Sequence, residues 1–229
     1  MLQPFGESLW IADGAIADVA GFRYPTRMAV VRLADGGLFI WSPTALDAEL
    51  MAAVRALGPV RHVVAPNALH HLHLDDWQDA FAPARFTAPP GLRKKRPDLR
   101  FDDELTDGSV HDWSGEIDHV LVHGNLITTE AVFFHRQSRT AIFTDLIQHF
   151  SPTWFSGWRA VVAKLDLMTA PQPEVPRKFR NTFVDRGAAR AAVRRILEWP
   201  AERVLMAHAA PVTQDGQAFI RRAFRWLGV

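Results

Sequence analysis

His71-Leu72-His73-Leu74-Asp75-Asp76 is the stretch on which the reading of this chain turns. Two histidines two residues apart in extended backbone point to the same side. Both imidazoles can then reach one metal ion at roughly 2.0–2.1 Å. Asp75 continues the same-side alternation, and a tightening turn after it would carry Asp76 towards a second ion. The segment follows His62-Val63-Val64, which reads as a strand, and strand-end loops are common places for catalytic groups. The same hexapeptide also fits a solvated capping segment with Asp75 or Asp76 as the N-cap of a helix.

Two later segments bear on that choice. Thr140-Ala141-Ile142-Phe143-Thr144-Asp145-Leu146 is an apolar strand ending in one carboxylate, and Val204-Leu205-Met206-Ala207-His208 is an apolar strand ending in one histidine. Taken alone, Asp145 reads as a helix cap and His208 as a satisfied core histidine. Three strands that each deliver a metal-competent residue at the C-terminal end suit a site assembled along one sheet edge.

Around these segments the chain reads as interleaved strands and helices. Met28–Leu33 and Leu38–Trp41 flank Asp35-Gly36-Gly37, a hairpin turn. Thr44, with Asp47 three residues on, is expected to cap a helix carrying Leu46, Leu50, Met51, Val54 and Leu57 on one face. Trp77–Phe81 is expected as a short helix, and Arg85–Thr87, Ile117–Val122, Glu130–His135 and Arg203–Met206 as strands. Trp154–Asp166, Asp185–Glu198 and Gly216–Trp226 have helical periodicity, with residues 168–181 read as a surface loop. Hairpin strands mixed with helices, without strict βαβ alternation, predict a layered α/β domain. No linker divides the chain, so residues 1–229 are expected to form a single domain.

These motifs resemble the metallo-β-lactamase superfamily. His71–Asp76 is similar to its H-x-H-x-D-H signature, with aspartate in the last histidine's place. Thr144-Asp145-Leu146 resembles its G-D-L segment, and Ala207-His208-Ala209-Ala210-Pro211 its final G-H-x-x-P segment. Pro66–His71, Pro90–Leu99 and Glu130–Arg136 resemble an uncharacterised bacterial branch of that superfamily. The resemblance implies a four-layer αββα sandwich. It implies a metal site built from His71, His73, Asp75, Asp76, Asp145 and His208, with Asp75 also the catalytic residue that orients the attacking water. It further implies a histidine between the first motif and Asp145, for which His123 is the candidate, although the small-residue turn that follows that histidine in the family is absent. The aspartate-glycine before the first helix is likewise replaced, by Trp41-Ser42-Pro43-Thr44.

Composition narrows the chemistry. The chain has no cysteine, which removes disulfides, thiolate zinc sites and cysteine nucleophiles together. Any metal must be held by nitrogen and oxygen, with zinc expected at the first site and iron or manganese suited to an oxygen-rich second site. No nucleophile elbow is present, so acyl-enzyme chemistry is not indicated. A net charge of +1 argues against a nucleic-acid partner. No apolar run is long enough to span a bilayer, and the N-terminus lacks a secretory pattern, so a cytoplasmic address is expected. The expected partner is a small-molecule substrate, with oligomeric state left open. Arg93-Lys94-Lys95-Arg96 reads as a solvated loop or as an anion clamp beside the metals. Trp154, Phe155, Trp158, Val161, Val162 and Leu165 read as the core face of a helix, with a pocket wall as the alternative, and Glu130 as a support for a ligand histidine. His70 has no partner pattern that marks it as a ligand. The leading functional expectation is a metal-dependent hydrolase of a small ester, thioester, lactone or phosphodiester. The alternative is a degenerate relative that binds a metal or ligand without turnover.

Overall fold

The computed structural model describes residues 1–229. The first sheet has seven strands in sequence order: β1 (Gln3–Gly6), β2 (Leu9–Val19), β3 (Phe22–Arg32), β4 (Leu38–Trp41), β5 (Val60–Val64), β6 (Arg85–Ala88) and β7 (Asp103–Glu104). β1 to β4 pair antiparallel, and β4 to β7 pair parallel. The parallel steps need crossovers, and α1 (Ala48–Leu57), α2 (Leu74–Ala80) and α3 (Leu92–Lys95) lie in them. The second sheet is ordered β11 (Arg203–His208), β10 (Thr140–Gln148), β9 (Glu130–His135) and β8 (Ile117–Val122), with only β10 and β11 parallel.

Three apolar clusters define the layers. Ala29, Val31, Phe39 and Trp41 of the first sheet meet Ile117, Phe133, Ile142 and Leu205 of the second, so the two sheets face each other. Alternate residues Val30, Ile40 and Val63 point the other way, against Leu50 and Val54 of α1 and Trp77 of α2. On the far side of the second sheet, Val132, Phe143 and Val204 pack against α5 (Arg177–Thr182), α6 (Arg186–Ile196) and α7 (Gly216–Ala223). The order is helices, sheet, sheet, helices: the αββα sandwich expected from sequence. All strands in parallel pairs run their C-terminal ends to one edge, which brings the ends of β4, β5, β10 and β11 together. Arg27 of β3 fastens that edge by donating to the carbonyls of Met206 (2.9 Å) and Ala209 (2.6 Å).

Several local expectations are corrected. Asp47 itself caps α1, accepting from Leu50 N at 2.7 Å, where Thr44 was expected to do so. The 168–181 segment is not all loop, because α5 begins at Arg177 and sends Phe179 into the core. The expected Trp154–Asp166 helix is shortened to α4 (Trp158–Leu165). Its apolar stripe was read as core, yet Trp158, Val161 and Leu165 are each about 60% exposed. The inward side of α4 is the small residue Ala163, clustered with Phe150, Phe155 and Met168. Periodicity located a stripe and could not say which stripe faces in. No helix is long and apolar enough to cross a membrane.

Candidate metal centre

At the shared edge three side chains converge. Asp145 on β10 lies between two imidazoles, with His70 Nε2 at 3.4 Å from Oδ2 and His208 Nε2 at 3.3 Å from Oδ1. The His70 and His208 rings are 5.2 Å apart, and the three donor atoms lie within 4.8 Å of one another. Asp145 and His208 are buried and His70 nearly so.

Each member is held by neighbours that leave its inward atom available. His208 Nδ1 donates to the Pro25 carbonyl at 2.7 Å, so its other nitrogen is the one turned to Asp145. His70 Nδ1 meets Ser42 Oγ at 2.8 Å, which likewise turns Nε2 inward. Orienting bonds of this kind on the outer ring nitrogen are characteristic of metal-binding histidines. Asn67 is fully buried, donates to Asp145 Oδ2 at 2.8 Å, and accepts from Leu69 N and His70 N. The side chain therefore folds the loop that presents His70 and also braces the carboxylate. Gln148 Nε2 adds a contact to Oδ1 at 3.3 Å. Ser42 holds a left-handed backbone (φ 51°) at the end of β4, a strained conformation for a non-glycine residue that places its hydroxyl against His70.

Glu130 supplies the backbone support. Its side chain is wholly buried and accepts from Thr144 N (2.8 Å), Asp145 N (2.8 Å) and Leu146 N (3.0 Å). β10 pairs with β9 only as far as Ile142, and its register with β11 breaks between Phe143 and Gln148. Glu130 fills the missing ladder, so its role is to hold the Asp145 backbone, not a ligand histidine as expected. Burial and the charge of Asp145 push its carboxyl up to about 8, against the pull of the three amides.

The donor set suits a divalent cation. Burial works to raise the Asp145 carboxyl, but the two imidazoles outweigh it and hold the group well below the usual carboxylate range. Burial lowers His70, leaving a neutral ring at pH 7. An anionic carboxylate and a neutral imidazole are the forms that bind metal. In a tetrahedral site with roughly 2.0–2.1 Å arms, ligand atoms sit about 3.4 Å apart. His70 and His208 stand 3.4 and 3.3 Å from different Asp145 oxygens, and with one atom from each residue the set spans up to 4.8 Å, so it is wider than that spacing and would have to draw in around an ion. Three protein ligands with one side open is the pattern of a catalytic site rather than a closed structural one. The open side faces a cavity of about 500 Å³ that also touches Tyr24, His71, His73 and Lys178.

Residues 7–156 match the family model described as "Domain of unknown function (DUF4336)". The chain belongs to this family. The match takes in His70 and Asp145 but stops short of His208. Comparison with curated proteins finds no match for this DUF4336 chain. Among solved structures it is similar to a metallo-β-lactamase from Pontibacter korlensis, at 11% identity and TM-score 0.66, covering 100% of this chain and 98% of that one. It is also similar to a metallo-β-lactamase from Hirschia baltica, at 12% identity and TM-score 0.65, covering 99% and 97%. A third is the metallo-β-lactamase FIM-1 from Pseudomonas aeruginosa in its mono-zinc form, at 9% identity and TM-score 0.66, covering 100% and 96%. At such identities the likeness establishes the fold, which is of the metallo-β-lactamase type.

The cluster of this DUF4336 chain corrects the ligand set expected from sequence. Asp145 and His208 do meet, but the residue beside them is His70. His71 lines the cavity wall with Nδ1 3.2 Å from Arg96, and His73 stands at the N-terminus of α2, 3.8 Å from Asp76. Asp75 and Asp76 lie in the first turn of α2 with side chains 57% and 61% exposed. Asp75 therefore belongs neither to the cluster nor to the cavity lining. The expected alternation failed because residues 71–76 are turn and helix, not extended chain. Leu74 and Trp77, three apart, are both buried, and Trp77 Nε1 donates to Thr44 O at 2.8 Å. That anchoring rotates Asp75 and Asp76 to solvent. His123 is exposed and pairs with Asp107 at 2.8 Å, so the intermediate histidine is not supplied to the site. No second cluster of three or more such ligands forms, and the expected oxygen-rich second site is absent. The basic run divides: Arg96 pairs with Asp98, while Lys95 Nζ donates to Ala68 O at the cavity wall. His70, Asn67 and Ser42 were missed. The one signal was Asn67, a turn-forming residue three after the end of a strand and three before a histidine.

Proposed function

We propose that this chain is a metal-dependent hydrolase of a small ester, thioester, lactone or phosphodiester, working with one ion held by His70, Asp145 and His208. The observation that carries this is the pair of outer-nitrogen bonds, His208 to Pro25 O and His70 to Ser42, which aim two imidazoles at one carboxylate beside an open cavity. A bound divalent cation supplies Lewis acidity and lowers the pKa of a coordinated water towards about 7. Zinc suits the nitrogen-rich set best. The chain's own residues do the remaining work. Asn67 and Gln148 hold Asp145 in place, and Glu130 fixes the backbone beneath it. His71 and His73 line the cavity and offer imidazole nitrogens for proton transfer.

The binding-without-turnover reading has one observation in its favour. Asp75, the expected water-orienting residue, faces solvent. One experiment addresses both readings. Protein prepared in metal-free buffer is titrated with zinc and then assayed on esters, thioesters, lactones and phosphodiesters. The hydrolase reading expects about one zinc per chain, retained in His71→Ala and His123→Ala and lost in His70→Ala and His208→Ala, with activity lost wherever the metal is lost, kept in His123→Ala and lowered in His71→Ala despite its zinc. Zinc uptake with no turnover on any substrate supports the binding protein. Absence of zinc, manganese and iron uptake refutes the metal centre itself.

A further inference from the structure

The chain's only tyrosine, Tyr24, stands in the cavity beside the triad, its ring 5.4 Å from His208. Lys178 on α5 donates to the Tyr24 hydroxyl at 3.1 Å and to Gln148 Oε1 at 3.2 Å. The ammonium lies 3.5 Å from Asp166, which faces it from the end of α4 and spreads its charge without removing its donors. A phenol oxygen that accepts from an ammonium turns its own O–H elsewhere, and no protein acceptor takes it. That O–H is a free donor in the cavity that Asp145 and His208 also line. The mouth has the opposite character. Val19 from the β2–β3 hairpin, Leu69 and Leu72 after β5, Ile127 and Val162 of α4 all line the cavity, yet each is between 38% and 55% exposed. Exposed aliphatic side chains from four separate segments thus form a collar around one opening, an arrangement that a protein surface does not normally maintain without an apolar ligand.

We propose that the cavity takes an amphipathic ligand: a medium-length acyl chain lies on the collar, and its carboxylate or ester oxygen accepts from Tyr24 O–H, with Lys178 as the residue that positions the phenol. The two ends of the cavity have matching chemistry, apolar at the rim and polar at the base, where the Lys178 ammonium and a free hydroxyl donor stand among the Asp145 and Asp166 carboxylates. This rests on the hydrolase reading only in placing the reacting carbonyl at the triad, since binding of the ligand needs no metal. A volume of about 500 Å³ lies within the range of small-molecule sites.

The test uses the intact chain labelled at the tyrosine ζ-carbon, which yields a single tyrosine resonance. Metal-free and zinc-supplemented protein are titrated with acetate, hexanoate, octanoate and decanoate, and with decyltrimethylammonium as a probe of the same tail and opposite charge. The expected result is a roughly two- to fourfold tightening per methylene, the upper figure being full burial of a CH₂. Carboxylate binding should shift the tyrosine resonance. Leu72→Ser and Val162→Ser, both at exposed positions, should flatten the chain-length series, whereas Val110→Ser, away from the cavity, should not. Lys178→Gln should weaken decanoate at least tenfold and reduce the tyrosine shift, and Tyr24→Phe should remove the preference for a carboxylate head. Equal affinity across the series would overturn the proposal. So would the cationic probe binding as tightly as decanoate, or an unmoved tyrosine resonance under saturating ligand. Chain-length dependence in protein that takes up no metal would end the hydrolase reading and leave this one standing. Zinc uptake with a flat series would do the reverse.

Discussion

Replacing Glu130 by glutamine tests whether the Asp145 backbone is held by a side chain in place of a β-ladder. Above about pH 8 the Glu130 side chain is a carboxylate, which takes Thr144 N on one oxygen and Asp145 N and Leu146 N on the other, at 2.8, 2.8 and 3.0 Å. An amide of the same shape keeps one acceptor. In its better orientation the carbonyl oxygen serves Asp145 and Leu146, and the NH₂ confronts Thr144 N, leaving that backbone N–H and the amide's own hydrogens without an acceptor. Each stranded group costs about 1–3 kcal/mol. The worse orientation strands a second backbone N–H as well, so the better one sets the expectation. Against a total stability of about 5–15 kcal/mol the variant should fold, with a lower urea midpoint and an unchanged slope. The same displacement disturbs the carboxylate that faces both histidines, and zinc affinity should fall roughly tenfold to a hundredfold, as for other groups that orient a ligand. Glu130→Ala, which strands all three amides and opens a void, should be far less stable. The assays are urea unfolding of metal-free protein and competitive zinc titration, both at about pH 9, where the parent Glu130 is ionised. Glu130→Gln with stability within about 0.5 kcal/mol of the parent and unaltered zinc affinity would refute this account of β10.

Other expectations follow from the same geometry. Ser42→Ala removes the hydroxyl at 2.8 Å from His70 Nδ1 and should weaken zinc by roughly tenfold or more while leaving the unfolding midpoint nearly unchanged; competitive titration checks it. Asp76→His, though it restores the expected motif, should alter neither metal stoichiometry nor stability beyond about 0.5 kcal/mol, because that side chain is 61% exposed on α2; a second bound ion on metal analysis would contradict it. Burial lowers His135 to about 4, so between that value and its ordinary 6.5 the unfolded chain binds the proton and the fold does not. Stability from this group is complete above about 6.5 and is lost as pH falls, by about 2 kcal/mol between pH 7 and 5. Urea unfolding of His135→Gln at both pH values should show a smaller acid loss than the parent by that amount.

Most of the architecture and part of the site were legible in the residues. Near-continuous apolar runs in Met28–Leu33, Thr140–Leu146 and Val204–His208 marked strands, because a strand between two packed layers must bury both faces. A metal-competent residue at each strand end located Asp145 and His208, since parallel strands bring like ends to one edge. β1 and most of β2 were not read, their apolar residues being too diluted by glycine and charge to show a period. The third ligand was decided only by tertiary structure. Adjacent histidines 70 and 71 differ in no local property. What separates them is that Asn67 turns the loop back on itself while Leu74 and Trp77 bury the helix that follows. Between those two anchors the backbone direction at each histidine is set by packing, and packing against α1 and β4 is a relation between residues distant in the chain. The collar was hidden for the same reason: its aliphatic side chains come from four segments, and each segment alone reads as an ordinary fragment of core.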